Sequence, residues 1–150
     1  MADPTAIKPH QSALMMKIRR HAEMRKDFDL ATIRPDGRSA AKARLFDSEA
    51  DGPWRGNVEG ETLNAQCTVL AYGNETPGEG PRLHVHPYDE IFIVVAGNAR
   101  FFVGDTVIDA TAGDVLLGPA GIPHRFENLG PGRLQTIDVH TAPRWLQVDL

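Results

Sequence analysis

From Val58 to His140 the chain is broken by a turn signal every eight to twelve residues. Gly, Pro, Asn and Asp supply the breaks, and the runs between them are rich in Val, Ile, Phe and Thr. Runs that short do not hold the length of a packed helix, but they suit the strands of an antiparallel sandwich or barrel. The expected strands are Leu63 to Tyr72, Arg82 to His86, Glu90 to Val95, Ala99 to Val103, Thr106 to Ala110, Val115 to Leu117, His124 to Asn128 and Leu134 to His140. Asn74 to Pro81 reads as a loop, and Gly104-Asp105 as a tight hairpin turn. The 14 Gly and 11 Pro among 150 residues exceed the ordinary share without reaching the level of a disordered chain. The fold class expected is all-β.

The same composition closes other routes. A single Cys, Cys67, excludes an internal disulfide framework and any multi-cysteine zinc site. With strand-like neighbours on both sides, it reads as a buried, inert thiol. The net charge of −4 argues against a general nucleic-acid binder. No apolar run approaches the ~18 residues of a membrane span, and Met1-Ala2-Asp3-Pro4 lacks the apolar core of a signal peptide. A soluble, cytoplasmic protein with neither nucleic-acid nor membrane partners is expected.

Charge divides the chain. Residues 1–50 hold ten Lys and Arg against seven Asp and Glu, and all four Lys lie there; residues 51–150 hold six against thirteen. We therefore expect an N-terminal arm, 1–50, and a single β-barrel domain, 51–150. The arm reads as irregular or partly helical, disordered or packed on the barrel or a partner. Ser12 can cap a helix over Ala13 to Lys26, and Met16 to Ile18 as an edge strand is the alternative. Met15-Met16 is an alternative natural start. Pro35-Asp36-Gly37 is a turn signal. His10 and His21 read as surface residues of the arm.

The chemistry concentrates in His84-x-His86-x3-Glu90. Residues two apart on a strand share a face, so His84 and His86 project together. Pro87-Tyr88-Asp89 reverses the chain, and Glu90 can return to that face. His124, at the start of a later strand, can supply a fourth donor. Imidazole and carboxylate together suit Fe, Mn, Ni, Cu or Zn better than Ca or Mg. A lone His-x-His more often carries no function. Here it lies in the pattern Gly78-x5-His84-x-His86-x3-Glu90-x6-Gly97, followed fifteen residues later by Gly113-x5-Pro119-x-Gly121-x2-His124-x3-Asn128.

These two stretches resemble the paired signature motifs of the cupin superfamily, in its small single-domain form. The resemblance covers roughly residues 60–142. It implies a cupin-type double-stranded β-helix, a jelly-roll barrel of six to eight strands with a metal inside one end. It also implies His84, His86, Glu90 and His124 as ligands of one divalent transition metal (Fe, Mn, Ni or Zn). Gly78, Gly97, Gly113, Pro119 and Gly121 would set turns, and the chain would form a homodimer joined through strands near its termini.

Period-2 arithmetic extends the site. Arg82 should share the inward face of His84, Phe92 and Val94 that of Glu90, and Phe126 and Asn128 that of His124. Phe92, Val94 and Phe126 read first as core. Arg82 either reaches inward to hold an anionic substrate or leans out at the barrel mouth. Tyr88 reads first as a turn aromatic and second as a mouth residue or proton donor. His140 is read as supporting the site or an interface, not as a ligand. No catalytic residue is assigned beyond the ligands.

The functional reading expected is an enzyme acting on a small, possibly anionic metabolite, with dioxygenase-type chemistry favoured. A metal-dependent isomerase or lyase follows, then a non-catalytic barrel that senses or binds a small ligand. A barrel that has lost its metal is the remaining alternative, and the intact ligand set argues against it. Fold alone does not choose among these.

Overall fold

The computed structural model describes residues 34–46 and 52–150. The helix or strand expected in the arm, Met15-Met16, His10 and His21 lie outside the described residues. Of the first compact unit, 1–38, only 34–38 are described. There the Pro35-Asp36-Gly37 bend is closed by the Arg38 backbone N–H, which donates to Asp36 Oδ1 at 2.9 Å.

The second unit, 39–150, is almost entirely strand and turn. In order it runs β1 (Trp54–Val58), α1 (Gly60–Leu63), β2 (Thr68–Asn74), β3 (His84–Val85), β4 (Glu90–Ala96), β5 (Asn98–Val103), β6 (Thr106–Thr111), β7 (Val115–Gly118), β8 (His124–Asn128), β9 (Leu134–His140) and β10 (Val148–Asp149). Two five-stranded sheets result, ordered β1-β2-β9-β4-β7 and β10-β3-β8-β5-β6. Every pairing is antiparallel.

Sequence alternation explains which face each strand buries. In β9, Leu134, Thr136, Asp138 and His140 are buried while the residues between them are half-buried. In β8, His124, Phe126 and Asn128 are buried in the same way. The inward faces join in a core of Tyr72, Phe92, Val94, Ala99, Phe101, Ala110, Leu116, Phe126 and Leu134. Its aromatic rings meet edge-on or tilted: Phe92 to Phe101, Phe101 to Phe126 and Tyr72 to Phe126 each at 5.1 Å. Such pairs add about 0.5–1.5 kcal/mol each beyond area burial.

The turns fall at the motif glycines. Gly78, Gly97, Gly113 and Gly121 all take positive φ, from +73° to +100°. Gly97 is the most constrained. A Cβ there would meet the Arg133 carbonyl oxygen at 2.3 Å, and its φ of +79° disfavours L side chains. Pro119 opens the last bend before β8, where its carbonyl accepts from Ile122 N–H at 3.1 Å.

Two expected strands need correction, and two short strands are added. The Leu63 to Tyr72 run is not one strand. Gly60–Leu63 closes a single helical turn, Asn64 ends it in the left-handed region at φ 53°, and pairing starts only at Thr68. The Thr68 hydroxyl fixes that junction, accepting from Gly60 N–H and donating to Ala142 O. Cys67 therefore precedes the strand and is half-buried rather than buried within it. The strand expected from Arg82 pairs only at His84–Val85, because Leu83 lies in a bend. The short edge strands β1 and β10 were not anticipated.

Candidate metal centre

The two sheets contribute opposite halves of one cluster. His84 on β3 pairs directly with His124 on β8, and His86 follows two residues on. Glu90 opens β4 in the other sheet. The ring centroids of His84 and His124 are 4.6 Å apart, those of His84 and His86 4.8 Å, and those of His86 and His124 5.2 Å. One ligand atom from each of the four residues lies within 4.8 Å of every other, and all four residues are buried.

Loops lock these strands in place. The two signature turns are tied together, with Ala120 N–H donating to Asp89 Oδ1 at 2.8 Å and Gly121 N–H to the His86 carbonyl at 2.8 Å. Gly118, paired with Glu90 across β4 and β7, makes room for His124. A Cβ at Gly118 would stand 3.3 Å from two atoms of the His124 ring and 3.0 Å from Phe92.

Tautomers follow from the hydrogen bonds. The Nδ1 of His84 lies 2.6 Å from the Arg82 carbonyl, that of His86 2.6 Å from the Leu146 carbonyl, and that of His124 2.8 Å from the Ile122 carbonyl. A carbonyl only accepts, so each Nδ1 carries a proton, and a neutral ring then keeps its lone pair on Nε2. Those three Nε2 atoms face a single oxygen, Glu90 Oε2, at 4.0, 3.0 and 2.8 Å for His84, His86 and His124. The His86 contact is close but misaligned, and its Nε2 has no hydrogen-bond partner. Buried lone pairs converging in this way repel one another unless a cation lies among them.

The appetite for positive charge shows in the proton affinities. Burial alone would raise the Glu90 carboxyl, yet His124, His84 and His86 hold it well below the ordinary carboxylate range. Burial pulls His84 down, and the Glu90 carboxylate together with the Arg82 carbonyl more than offsets this, leaving it raised. The donor set fits a borderline divalent metal: three imidazoles and one carboxylate, the imidazoles oriented from behind by backbone carbonyls.

The other residues singled out in the sequence distribute as follows. Phe92 and Phe126 belong to the core, and Phe92 also packs edge-on to His124 at 5.5 Å. Val94 is buried there too. Arg82 is exposed, and only its backbone serves the cluster. Asn128 is buried, but its amide is consumed by loops: it donates to Asn74 and to the Gly132 carbonyl and accepts from Gly130 N–H. Tyr88 stacks on His86 at 5.3 Å and 8°, and its hydroxyl exchanges hydrogen bonds with Leu146.

Two further inward residues flank the cluster: His140, read from the sequence as supporting the site or an interface, and Asp138, which sequence reasoning missed. His140 stands beside Glu90, with Nε2 3.2 Å from Oε1, and burial holds its pKa down to about 4. Asp138 is buried with neither oxygen well hydrogen-bonded, and burial raises its pKa well above the ordinary value. The same period-2 count, run along β9 from Leu134, brings both inward.

A family profile described as the cupin domain matches residues 74–140. That match and the fold around it bear out, over those residues, the resemblance to cupins read from the sequence. No curated protein sequence matches it. Among solved structures, a Bacillus subtilis oxalate decarboxylase studied for its Mn(II) centres superposes with a TM-score of 0.60 at 22% identity, covering 68% of this chain and 29% of that one. The formate complex of Lactobacillus farciminis oxalate decarboxylase gives a TM-score of 0.60 at 22% identity, with 70% and 33% covered. An uncharacterized Klebsiella pneumoniae protein with a double-stranded β-helix domain gives 0.58 at 23% identity, with 72% and 97% covered. The chain thus spans a third or less of the decarboxylases' length, and at these identities the likeness establishes the fold. Among its described residues, no helix is long and apolar enough to cross a membrane.

Proposed function

We propose that this chain is a metal-dependent enzyme in which His84, His86, Glu90 and His124 hold one divalent transition metal (Fe, Mn, Ni or Zn) beside a small anionic metabolite. One observation carries the metal: three imidazoles are proton-fixed at Nδ1 by backbone carbonyls and turn their Nε2 atoms on one carboxylate oxygen. When bound, such an ion supplies Lewis acidity and, as Fe or Mn, redox capacity towards oxygen.

The chain's own residues do the rest. The carbonyls of Arg82, Leu146 and Ile122 hold the three rings in one orientation. Phe92 packs edge-on to His124 with Phe126 behind it, an apolar wall that strengthens charge interactions on that side. A divalent ion against the single Glu90 carboxylate leaves one positive charge, which favours an anion. That preference rests on the cluster rather than on exposed Arg82.

Oxygen-dependent, dioxygenase-type turnover is the reading we favour. Lyase chemistry is the second reading, supported by the fold shared with oxalate decarboxylases, one of them studied for its Mn(II) centres. An isomerase of the same site, or a barrel that binds its ligand without turnover, follows. Elemental analysis of the purified protein, then matched aerobic and anaerobic assays with small mono- and dicarboxylates, separates these readings. A preparation that is metal-free and takes up none of the four metals would overturn the proposal. Oxygen-independent turnover moves it to a lyase or isomerase, and saturable binding without turnover to a sensing barrel.

For assembly, a homodimer is proposed. The exposed edge strand β10, with Val148 and Leu150 outward near the C-terminus, supports it. Light scattering coupled to size exclusion measures it directly.

A further inference from the structure

Glu90 has two carboxylate oxygens, and the three histidine Nε2 atoms gather on Oε2. The other oxygen, Oε1, is turned to β9, where the register sets His140 directly beside Glu90. The Nε2 of His140 lies 3.2 Å from Oε1, at the long end of the N–H···O range. The residue is 1% exposed, and neither ring nitrogen makes a well-aligned hydrogen bond. A buried donor left without an acceptor costs roughly 1–3 kcal/mol, so the ring has a physical drive towards the oxygen in front of it. Its freedom is small: it packs edge-on against His86 at 4.7 Å and Tyr88 at 5.7 Å. It also stands outside the group of four whose ligand atoms lie within 4.8 Å of one another.

We infer that His140 is a positioning residue that engages Oε1 of Glu90 and so limits Glu90 to coordination through Oε2 alone. The inference rests on the metal reading above. Its consequence is chemical: a carboxylate binding through both oxygens fills a coordination position, whereas one binding through a single oxygen leaves that position for substrate. Partners of this kind, behind a metal ligand, typically tune affinity 10–100-fold, so roughly that loss is expected when His140 is removed.

The test is Co(II) titration of the full chain, following affinity and visible absorption, whose intensity falls as coordination number rises. Three proteins are compared: wild type, His140→Leu, which fills the space without a donor, and His140→Gln, which keeps an N–H donor. Should the leucine variant fail to fold, His140→Ala takes its place. The expected result is roughly 10–100-fold weaker binding and weaker visible bands for His140→Leu, with both largely restored in His140→Gln. Wild-type affinity and bands in His140→Leu would overturn the inference. So would equal weakening of both variants with unchanged bands, the mark of lost packing alone. Failure of the wild type to bind Co(II) at all would instead remove the metal reading itself, and the inference with it.

Discussion

The main-chain carbonyl of Leu146 lies 2.6 Å from Nδ1 of His86, sixty residues earlier in the chain. The segment around Leu146 thus sets the tautomer of a histidine of the candidate metal centre. The Tyr88 hydroxyl holds Leu146 there, accepting from its N–H at 2.7 Å and donating to its carbonyl at 2.9 Å. Tyr88→Phe removes both bonds. We expect a stability loss of about 1 kcal/mol and metal affinity several-fold weaker, measured by chelator competition. Unchanged affinity would mean that Leu146 holds its place without Tyr88.

Metal content reports the ligand assignment directly. His86→Ala removes one donor and leaves Glu90 facing two imidazoles instead of three. Bound metal per chain, read by mass spectrometry after purification, should fall markedly, with near-native circular dichroism. Stoichiometry equal to wild type would contradict the assignment of His86.

Two groups make the metal-free protein sensitive to acid, each with a sign that follows from its shift. His140 is held at about 4 in the fold against an ordinary 6.5. Between those values the unfolded chain takes up a proton that the folded chain refuses, so stability falls as pH falls. Glu90 is held below its ordinary 4.5, so its contribution is present above that value and is lost as pH drops beneath it. The buried Asp138 carboxyl, whose pKa is raised, opposes this slope above pH 3.8, so the His140 contribution is read against a variant that lacks it. His140→Gln removes the first group, and its melting temperature in chelator should rise relative to wild type as pH falls from about 6.5 to about 4. A difference that stays constant over that range would reject His140 as a source of acid sensitivity.

Most of the centre was legible because its geometry is local. His84 and His86 share a strand face by period two, and the Pro87-Tyr88-Asp89 bend returns Glu90 to them. Turn chemistry marked the glycines, since positive φ leaves little choice of residue. What escaped was long-range or backbone in nature. The Leu146 carbonyl has no side-chain signature, and its role depends on β10 folding back on β3. Arg82, read as reaching inward or leaning out at the barrel mouth, is exposed, and the bend at Leu83 beside it is not announced by residue type alone. The helical turn over Gly60–Leu63 was hidden by strand-like neighbours, and tertiary bonds from the Thr68 hydroxyl override that local preference.

Asp138 should be a stability liability at neutral pH. Burial raises its pKa well above the ordinary 3.8, with the Glu90 charge adding to the effect. The folded chain therefore keeps a proton that the unfolded chain releases, and stability falls as pH rises above 3.8. Asp138→Asn abolishes that titration at nearly constant shape. The variant should melt higher than wild type at pH 7–8, by an amount on the order of 1–3 kcal/mol, and match it near pH 3.5, where both are neutral. If the gain in stability comes with lost turnover, Asp138 is retained for function. A variant that melts lower at pH 7–8 would show that the carboxyl is satisfied in solution.

Gly118 tests how closely the barrel is fitted around the cluster. It sits opposite Glu90 on β7 and has no side chain where His124 and Phe92 approach. Adding a methyl group would bring it to 3.0 Å from Phe92 and 3.3 Å from the His124 ring, so both rings must give by a few tenths of an ångström. Phe92 is held by Phe101 and Phe126, and His124 by the Ile122 carbonyl, so neither yields freely. We expect Gly118→Ala to cost about 1–3 kcal/mol of stability as an overpacking effect. Metal affinity should weaken as well, because the displaced ring carries a ligand nitrogen. Loss of stability with unchanged metal affinity would show that Phe92 alone absorbs the strain. Loss of both would place His124 under direct control of the β7 backbone.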